Sequence, residues 1–200
     1  MTSKLKTDIL ETVSGSGTIA LTNQLSGMTS ASVPSGSVIQ VNNIVIDTVT
    51  TTAQTSFVAA GDTDITFSSL ASTSSKVLVK YNLYACSTKG SNIIMRLYRS
   101  INGASFAEVT GPTSSRGSGN INTWLSNGYN PISSHQDYNL DMFSGEYLDS
   151  PNTTSSVTYK IYFASRDTNA CYINRSTSFN ANDSASPCAT SSATIMEIKG

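Results

Sequence analysis

A chain of 200 residues can hold one β domain plus an arm, or two small domains. Only 12% of the residues are charged and the formal net charge is −1, so the basic stripe that neutralises nucleic-acid phosphates is absent. No apolar run of about 18 residues occurs, which excludes a membrane-spanning helix and any expectation of membrane insertion. Met1 to Lys6 carries two lysines with no apolar run behind them, so no secretory leader is expected.

The first 36 residues are poor in apolar side chains and rich in Ser, Thr and Gly. Leu5, Ile9 and Val13 recur every four residues, a spacing that permits one short helix over residues 3–13. The same stretch can instead add to a partner as an extended strand. The Ser- and Gly-rich segments at 14–17 and 26–36 read as linker. Such an arm cannot bury enough surface to offset the entropy of ordering itself. Residues 1–36 are therefore expected to be a docking arm, with Leu5, Ile9 and Val13 as its contact residues.

From residue 37 the pattern becomes that of strands. Residues 37–52 form a β-branched run around Val38, Val41, Ile44, Val45 and Ile46. Residues 63–67 alternate, with Ile65 and Phe67 on one face. Residues 76–84 alternate most clearly: Val77, Val79, Tyr81 and Leu83 face one way, Leu78, Lys80, Asn82 and Tyr84 the other. Residues 93–110 read as a hairpin turning at Asn102-Gly103, where both positions tolerate positive φ. Residues 111–135 read as a long loop. Strand signals resume over 138–147, 157–163, 171–175 and 190–198, the last with Thr194, Met196 and Ile198 on one face.

About eight strands, almost no helix and no repeat of 20–50 residues predict an all-β fold. The expected architecture is an antiparallel two-sheet jelly-roll sandwich over residues 37–200. Several strands are apolar on both faces, whereas a lone sandwich keeps its outer face polar. One face is then expected to pack the core and the other a sister subunit, as in a cyclic homotrimer. Ser and Thr make up about 30% of the chain, which supplies an uncharged but well-hydrated surface.

Chemistry-bearing residues are sparse. His135 is the only histidine, and Ser134 and Asp137 beside it do not make a triad, since no G-x-S-x-G elbow is present. Asp137, Asp141, Glu146 and Asp149 lack the spacing of a calcium loop. Arg96 and Arg99 fall on opposite faces of one strand and cannot share a patch. Gly117 and Gly119 lack the strand-loop-helix setting of a phosphate loop. Cys86, Cys171 and Cys188 form no C-x-x-C; they are expected to be free and mostly buried thiols, with a Cys171–Cys188 bridge as the alternative. No catalytic residue, metal site or cofactor is expected. Trp124, Tyr129, His135 and Tyr138, in or beside the long loop, are the candidate receptor or partner contacts, because loop aromatics stack on sugars and anchor interfaces.

The segment Tyr147-Leu-Asp-Ser-Pro-Asn-Thr-Thr-Ser-Ser-Val-Thr-Tyr-Lys160, then Tyr172-Ile-Asn-Arg175 and the terminal Ser192-Ala-Thr-Ile-Met-Glu-Ile198, resembles the C-terminal domain of structural proteins from marine phages, among them cyanophage-like tail-fibre and virion proteins. Pro34-Ser-Gly-Ser-Val-Ile-Gln40, Ser74-Ser-Lys-Val-Leu-Val79 and Ser3-Lys-Leu-Lys-Thr-Asp8 are similar to the same family. The resemblance implies a trimeric jelly roll like that of tumour-necrosis-factor and complement proteins, located in the virion. It points to a tail fibre or tail tip bound to other virion proteins and to a host-surface glycan or protein. A capsid decoration protein is the alternative, and a glycan-degrading virion enzyme has the least support, since no pair of carboxylates facing across a cleft is evident.

Overall fold

The computed structural model describes residues 33–88, 93–109, 125–126, 140–182 and 186–200, and Pro34–Gly200 form one unit. Among the described residues there is no helix, and every strand pairing is antiparallel. The strands are β1 (Val38–Ile46), β2 (Thr50–Thr52), β3 (Val58–Ala59), β4 (Ile65–Phe67), β5 (Lys76–Ser87), β6 (Ile93–Ile101), β7 (Ala107–Glu108), β8 (Leu125–Ser126), β9 (Asp141–Asp149), β10 (Val157–Ser165), β11 (Cys171–Ile173) and β12 (Ser191–Ile198). They form two sheets, as expected for a jelly-roll sandwich.

In the first sheet β5 is central. β9 runs along one of its edges from Val77 to Ala85, while β12 and β11 divide the other. β1 flanks β12 and β2 flanks β11. In the second sheet β10 and β6 pair over nine residues. β4 and β3 share the far edge of β10, and β7 and β8 share the far edge of β6.

The core lies between the sheets and follows the period-two rule. From β5 it takes Val77, Val79, Tyr81, Leu83 and Ala85; from β10, Val157, Tyr159, Ile161 and Phe163; from β6, Ile93, Met95 and Leu97. Polar bonds cross this interior. The Tyr81 hydroxyl donates to the Thr63 carbonyl at 2.7 Å, and the Thr63 hydroxyl accepts from the Ile161 N–H at 3.2 Å. Thr63 thus links the central strands of both sheets, with every buried polar group of the link satisfied.

Two buried polar residues fix where the first sheet begins and ends. Asn174 sits just past β11 at φ 67°, a left-handed conformation that Asn tolerates better than most residues. Its side chain donates to the carbonyls of Ile46 and Thr48 at 2.9 and 3.0 Å and accepts from the Ser191 hydroxyl at 2.5 Å. That arrangement stops β1 and aligns β12. At the other end Glu197 is fully buried, accepting from Gln40 Nε2 at 2.6 Å and from the Ala71 N–H at 2.7 Å.

The structure refines several strand expectations. The run 37–52 is two strands in the first sheet, β1 and β2, because the pairing is interrupted at Asp47 to Val49, where Asn174 binds the Ile46 and Thr48 carbonyls. Asn102 and Gly103 have φ of 51° and 71°, and the hairpin expected there is present, with Arg99 opposite Ala107. In β12 Thr194, Met196 and Ile198 do share a face, but it is the outward one. The inward row is Ser191, Ala193, Ile195 and Glu197. The two-residue strand at Leu125–Ser126 lies inside the expected long loop.

Replacing Ile161 by Ala removes buried methyls from the middle of this core and is expected to cost about 2–5 kcal/mol in denaturant unfolding. Replacing it by Asp is expected to leave no folded protein by circular dichroism. Burial holds the Tyr81 and Tyr159 hydroxyls well above their ordinary value, with the charges of Asp64 and Asp149 adding to it. The unfolded chain therefore releases these protons first. Stability should be intact below about pH 10, the ordinary tyrosine value, and should fall as pH rises above it. A denaturation midpoint series with tyrosinate absorbance checks this: the two hydroxyls should ionise only as the fold is lost.

Candidate interaction surface

Three places in the described fold gather chemistry: a cluster between the sheets and the two outward sheet faces. Between the sheets, Arg99 of β6 and Tyr159 of β10 both donate to Oδ2 of Asp149, the last residue of β9, at 2.5 and 2.7 Å. Asp149 is 5% exposed. The acid belongs to one sheet and its donors to the other, so the cluster ties the sandwich together near one end. Arg99 faces inward and Arg96 outward, as strand alternation requires.

On the outward face of the second sheet, the rings and charges cover one another. The Arg96 guanidinium lies 4.0 Å from the Phe57 ring and pairs with Glu108 at 2.9 Å. Tyr98 and Tyr162 stack at 4.0 Å, and Phe106 tilts onto Tyr162 at 6.2 Å. Lys160 reaches over Phe106 at 5.7 Å and pairs with Asp64 at 2.6 Å. Burial first, then the charge of Glu108, pushes the Tyr98 hydroxyl up. Each half-exposed ion pair contributes on the order of 0–1 kcal/mol; the main effect is that the aromatic faces are shielded by the chain's own cations.

The outward face of the first sheet differs. Register places Val41 opposite Met196, Met196 opposite Leu78, and Leu78 opposite Leu148. These four side chains form one aliphatic row across β1, β12, β5 and β9, with Val41 and Leu148 55% and 47% exposed. The row on one side of it holds Val38, Ile198 and Lys76. The row on the other side is polar: Asn43, Thr194, Lys80 and Glu146. The next holds Val45, Ser192, Asn82 and Ser144, with the Ser144 hydroxyl donating to Asn82 at 2.7 Å.

The expected site residues are distributed unevenly over these places. Trp124, Tyr129, His135 and Tyr138 lie outside the described residues, as do Ser134 and Asp137. The arm residues Leu5, Ile9 and Val13 lie outside them too. The acidic group of 137–149 is split by strand alternation: Glu146 points outward, Asp149 inward, and Asp141 sits at the exposed start of β9. Among the described residues no group of three His, Cys, Asp or Glu is placed to hold a metal ion.

All three cysteines are free. Cys171 and Cys188 are not joined, because Cys171 sits opposite Ser87 while Cys188 sits opposite Arg175. Cys86 and Cys171 are buried, as expected for most of them, and Cys188 is exposed. Burial pushes the Cys171 thiol up to about 11 and raises Cys86 as well, so both stay protonated and unreactive near neutral pH.

The aliphatic row had a partial sequence signal in Leu78, which already stands on the second face of its strand, opposite Val77 and Val79. Alternation sorts residues within a strand, but only the pairing register shows that four strands contribute to one row.

No protein-family model matches the sequence, and no curated protein matches it. Among solved structures, the chain is similar to infectious bursal disease virus of the Gx strain, with a TM-score of 0.33 and 9% identity over 82% of this chain and 38% of that one. It is also similar to the VP2 subviral particle of that virus, with a TM-score of 0.30 and 10% identity over 80% and 37%. For the Gt strain the values are 0.29 and 10% over 82% and 42%. The chain thus matches about two-fifths of the length of these structures, and likeness at this level assigns no function.

Removing Asp149 from the inter-sheet cluster orphans the buried Tyr159 hydroxyl and leaves Arg99 unpaired. Asp149→Ala is expected to destabilise the fold by about 1–3 kcal/mol, while the triple change Arg99→Met, Asp149→Leu and Tyr159→Phe restores most of it. Chemical denaturation of the single and triple variants checks the claim; equal losses in both would contradict it.

Proposed function

We propose that this chain is a bacteriophage virion structural protein, a tail-fibre or tail-tip module that works by assembly and binding rather than by catalysis. The observation that carries the reading is the uncovered aliphatic row on the first sheet. A well-hydrated, weakly charged surface elsewhere makes that row stand out as a contact surface. The resemblance of residues 147–160, 172–175 and 192–198 to marine-phage structural proteins supports the same reading.

In this proposal residues 1–36 dock on another virion protein through Leu5, Ile9 and Val13. The sandwich forms a homotrimer and presents residues 111–135 and 164–190, with Trp124, Tyr129, His135 and the adjacent Tyr138 as contacts to a host-surface glycan or protein. Contact by each subunit is weak, and joining three on one particle raises avidity by about 10² to 10⁴ where geometry allows.

Gold labelling of intact particles with an antibody to residues 111–135 tests this. Label at the tail end is the expected result. Label spread over the head would reassign the chain as a capsid decoration protein, and particles that carry no label would overturn the virion role.

A further inference from the structure

The two outward faces of the sandwich are finished differently, and the difference identifies what the open one meets. On the second sheet Arg96 and Lys160 cover the Phe57 and Phe106 rings, and the tyrosines cover each other. On the first sheet the Arg175 guanidinium lies 4.3 Å from the Tyr172 ring of β11, but among the described residues no such cover lies over the aliphatic row of β1, β12, β5 and β9. All the large hydrophobic side chains that are strongly exposed among the described residues lie on strands of the first sheet or in the Asp47 to Val49 segment that leads into β2.

We infer that the outward face of β1, β12, β5 and β9, centred on Val41, Met196, Leu78 and Leu148, is the contact between copies of this chain. The inference rests on the reading of the chain as an assembling module, and it names the surface and the occupant.

Two properties of the face select a second copy. The first is charge. The outward rows of these four strands carry Lys76 and Lys80 on β5 and Glu146 on β9, with Lys80 and Glu146 directly opposite each other. A partner of one sign would meet a like charge somewhere on this face. A second copy offers both signs, so rotation about a symmetry axis can set Lys80 of one against Glu146 of the other. The face also lacks the dense like charges with which sheet proteins keep their own copies apart.

The second property is area. β12, the shortest of the four strands, has 8 residues. Four strands about 4.8 Å apart and this length at about 3.4 Å per residue give a face on the order of 500 Å² before side-chain relief is counted. A stable interface takes about 800 Å² from each partner. The face therefore supplies most of what one copy must contribute, with its aliphatic row toward one end and hydrogen-bonded polar residues such as Asn82 and Ser144 toward the other.

The test is the solution mass of the full chain and three variants by light scattering, with circular dichroism on each. The native chain should run at a multiple of 21.1 kDa, threefold for the trimer. The double variant Leu78→Lys with Leu148→Lys should keep the strand spectrum and run at 21.1 kDa, with the dissociation constant raised at least tenfold. Val41→Lys, on the edge strand β1 and far from the core, serves if the double variant does not fold, and should weaken association in the same direction. Thr66→Lys, exposed on the other sheet, should leave the mass unchanged.

Variants that fold and keep the native mass would overturn the assigned face while leaving self-assembly intact. A native chain at 21.1 kDa across the accessible concentration range would assign the row to a different protein and overturn the inference. Gold labelling of particles would still decide the virion role on its own.

Discussion

The inward rows of two central strands meet in the middle of this protein, and the remainder of the fold is arranged around that contact. Val77, Val79, Tyr81 and Leu83 of β5 face Val157, Tyr159, Ile161 and Phe163 of β10 across the sandwich, and all eight are fully buried. Each such side chain contributes about 1.5–3 kcal/mol when removed from water. Hydrophobic contact alone has no direction, so the polar links fix how the sheets sit on each other. Tyr81 to Thr63 to Ile161 does so near the centre, and Arg99 to Asp149 to Tyr159 does so near one end. Both links need their partners, because an orphaned hydroxyl or carboxylate there has no water to turn to.

That constraint explains which parts of the fold were legible in the sequence. Strands with strict alternation, such as β5 and β10, announce their inward faces directly. So does the Asn102-Gly103 turn, whose residue types match the positive φ found there. The terminal strand is the instructive exception. Judged by apolarity, Met196 and Ile198 look like core and Glu197 like surface, yet the structure places Glu197 inside. Gln40 and the Ala71 N–H supply its carboxylate with partners, and both come from segments remote in sequence. Asn174 is hidden for the same reason: its role is defined by Ile46, Thr48 and Ser191, none of which neighbours it along the chain. Composition and spacing cannot disclose bonds that exist only after the sheets have closed.

The candidate surface was legible to a similar degree. Apolar second faces on several strands already called for a covering partner. The register then separates two cases that look alike in sequence. On the second sheet, Tyr98 and Tyr162 stack and their neighbours are capped by cations from the same chain. On the first sheet, no cation or ring among the described residues is laid over the aliphatic row. Aliphatic side chains offer neither hydrogen bonds nor a π face, so they suit a packed protein contact better than a sugar. In the proposed module assembly thus falls to the sheet and recognition to the aromatics at 124–138, two separate parts of the chain.

The most direct measurement of the central claim is methyl-resolved NMR with a soluble paramagnetic probe. A register slip of one residue would exchange the inward and outward rows of a strand, and this measurement sees that exchange residue by residue. In the dissociated Leu78→Lys, Leu148→Lys variant, whose sheet face no second copy covers, Val79, Ile161 and Ile195 should keep their intensity at probe concentrations that erase Val45, which is 67% exposed. If Ile195 disappears together with Val45 while Met196 persists, β12 faces the other way, and both the closed interior and the open row are wrong.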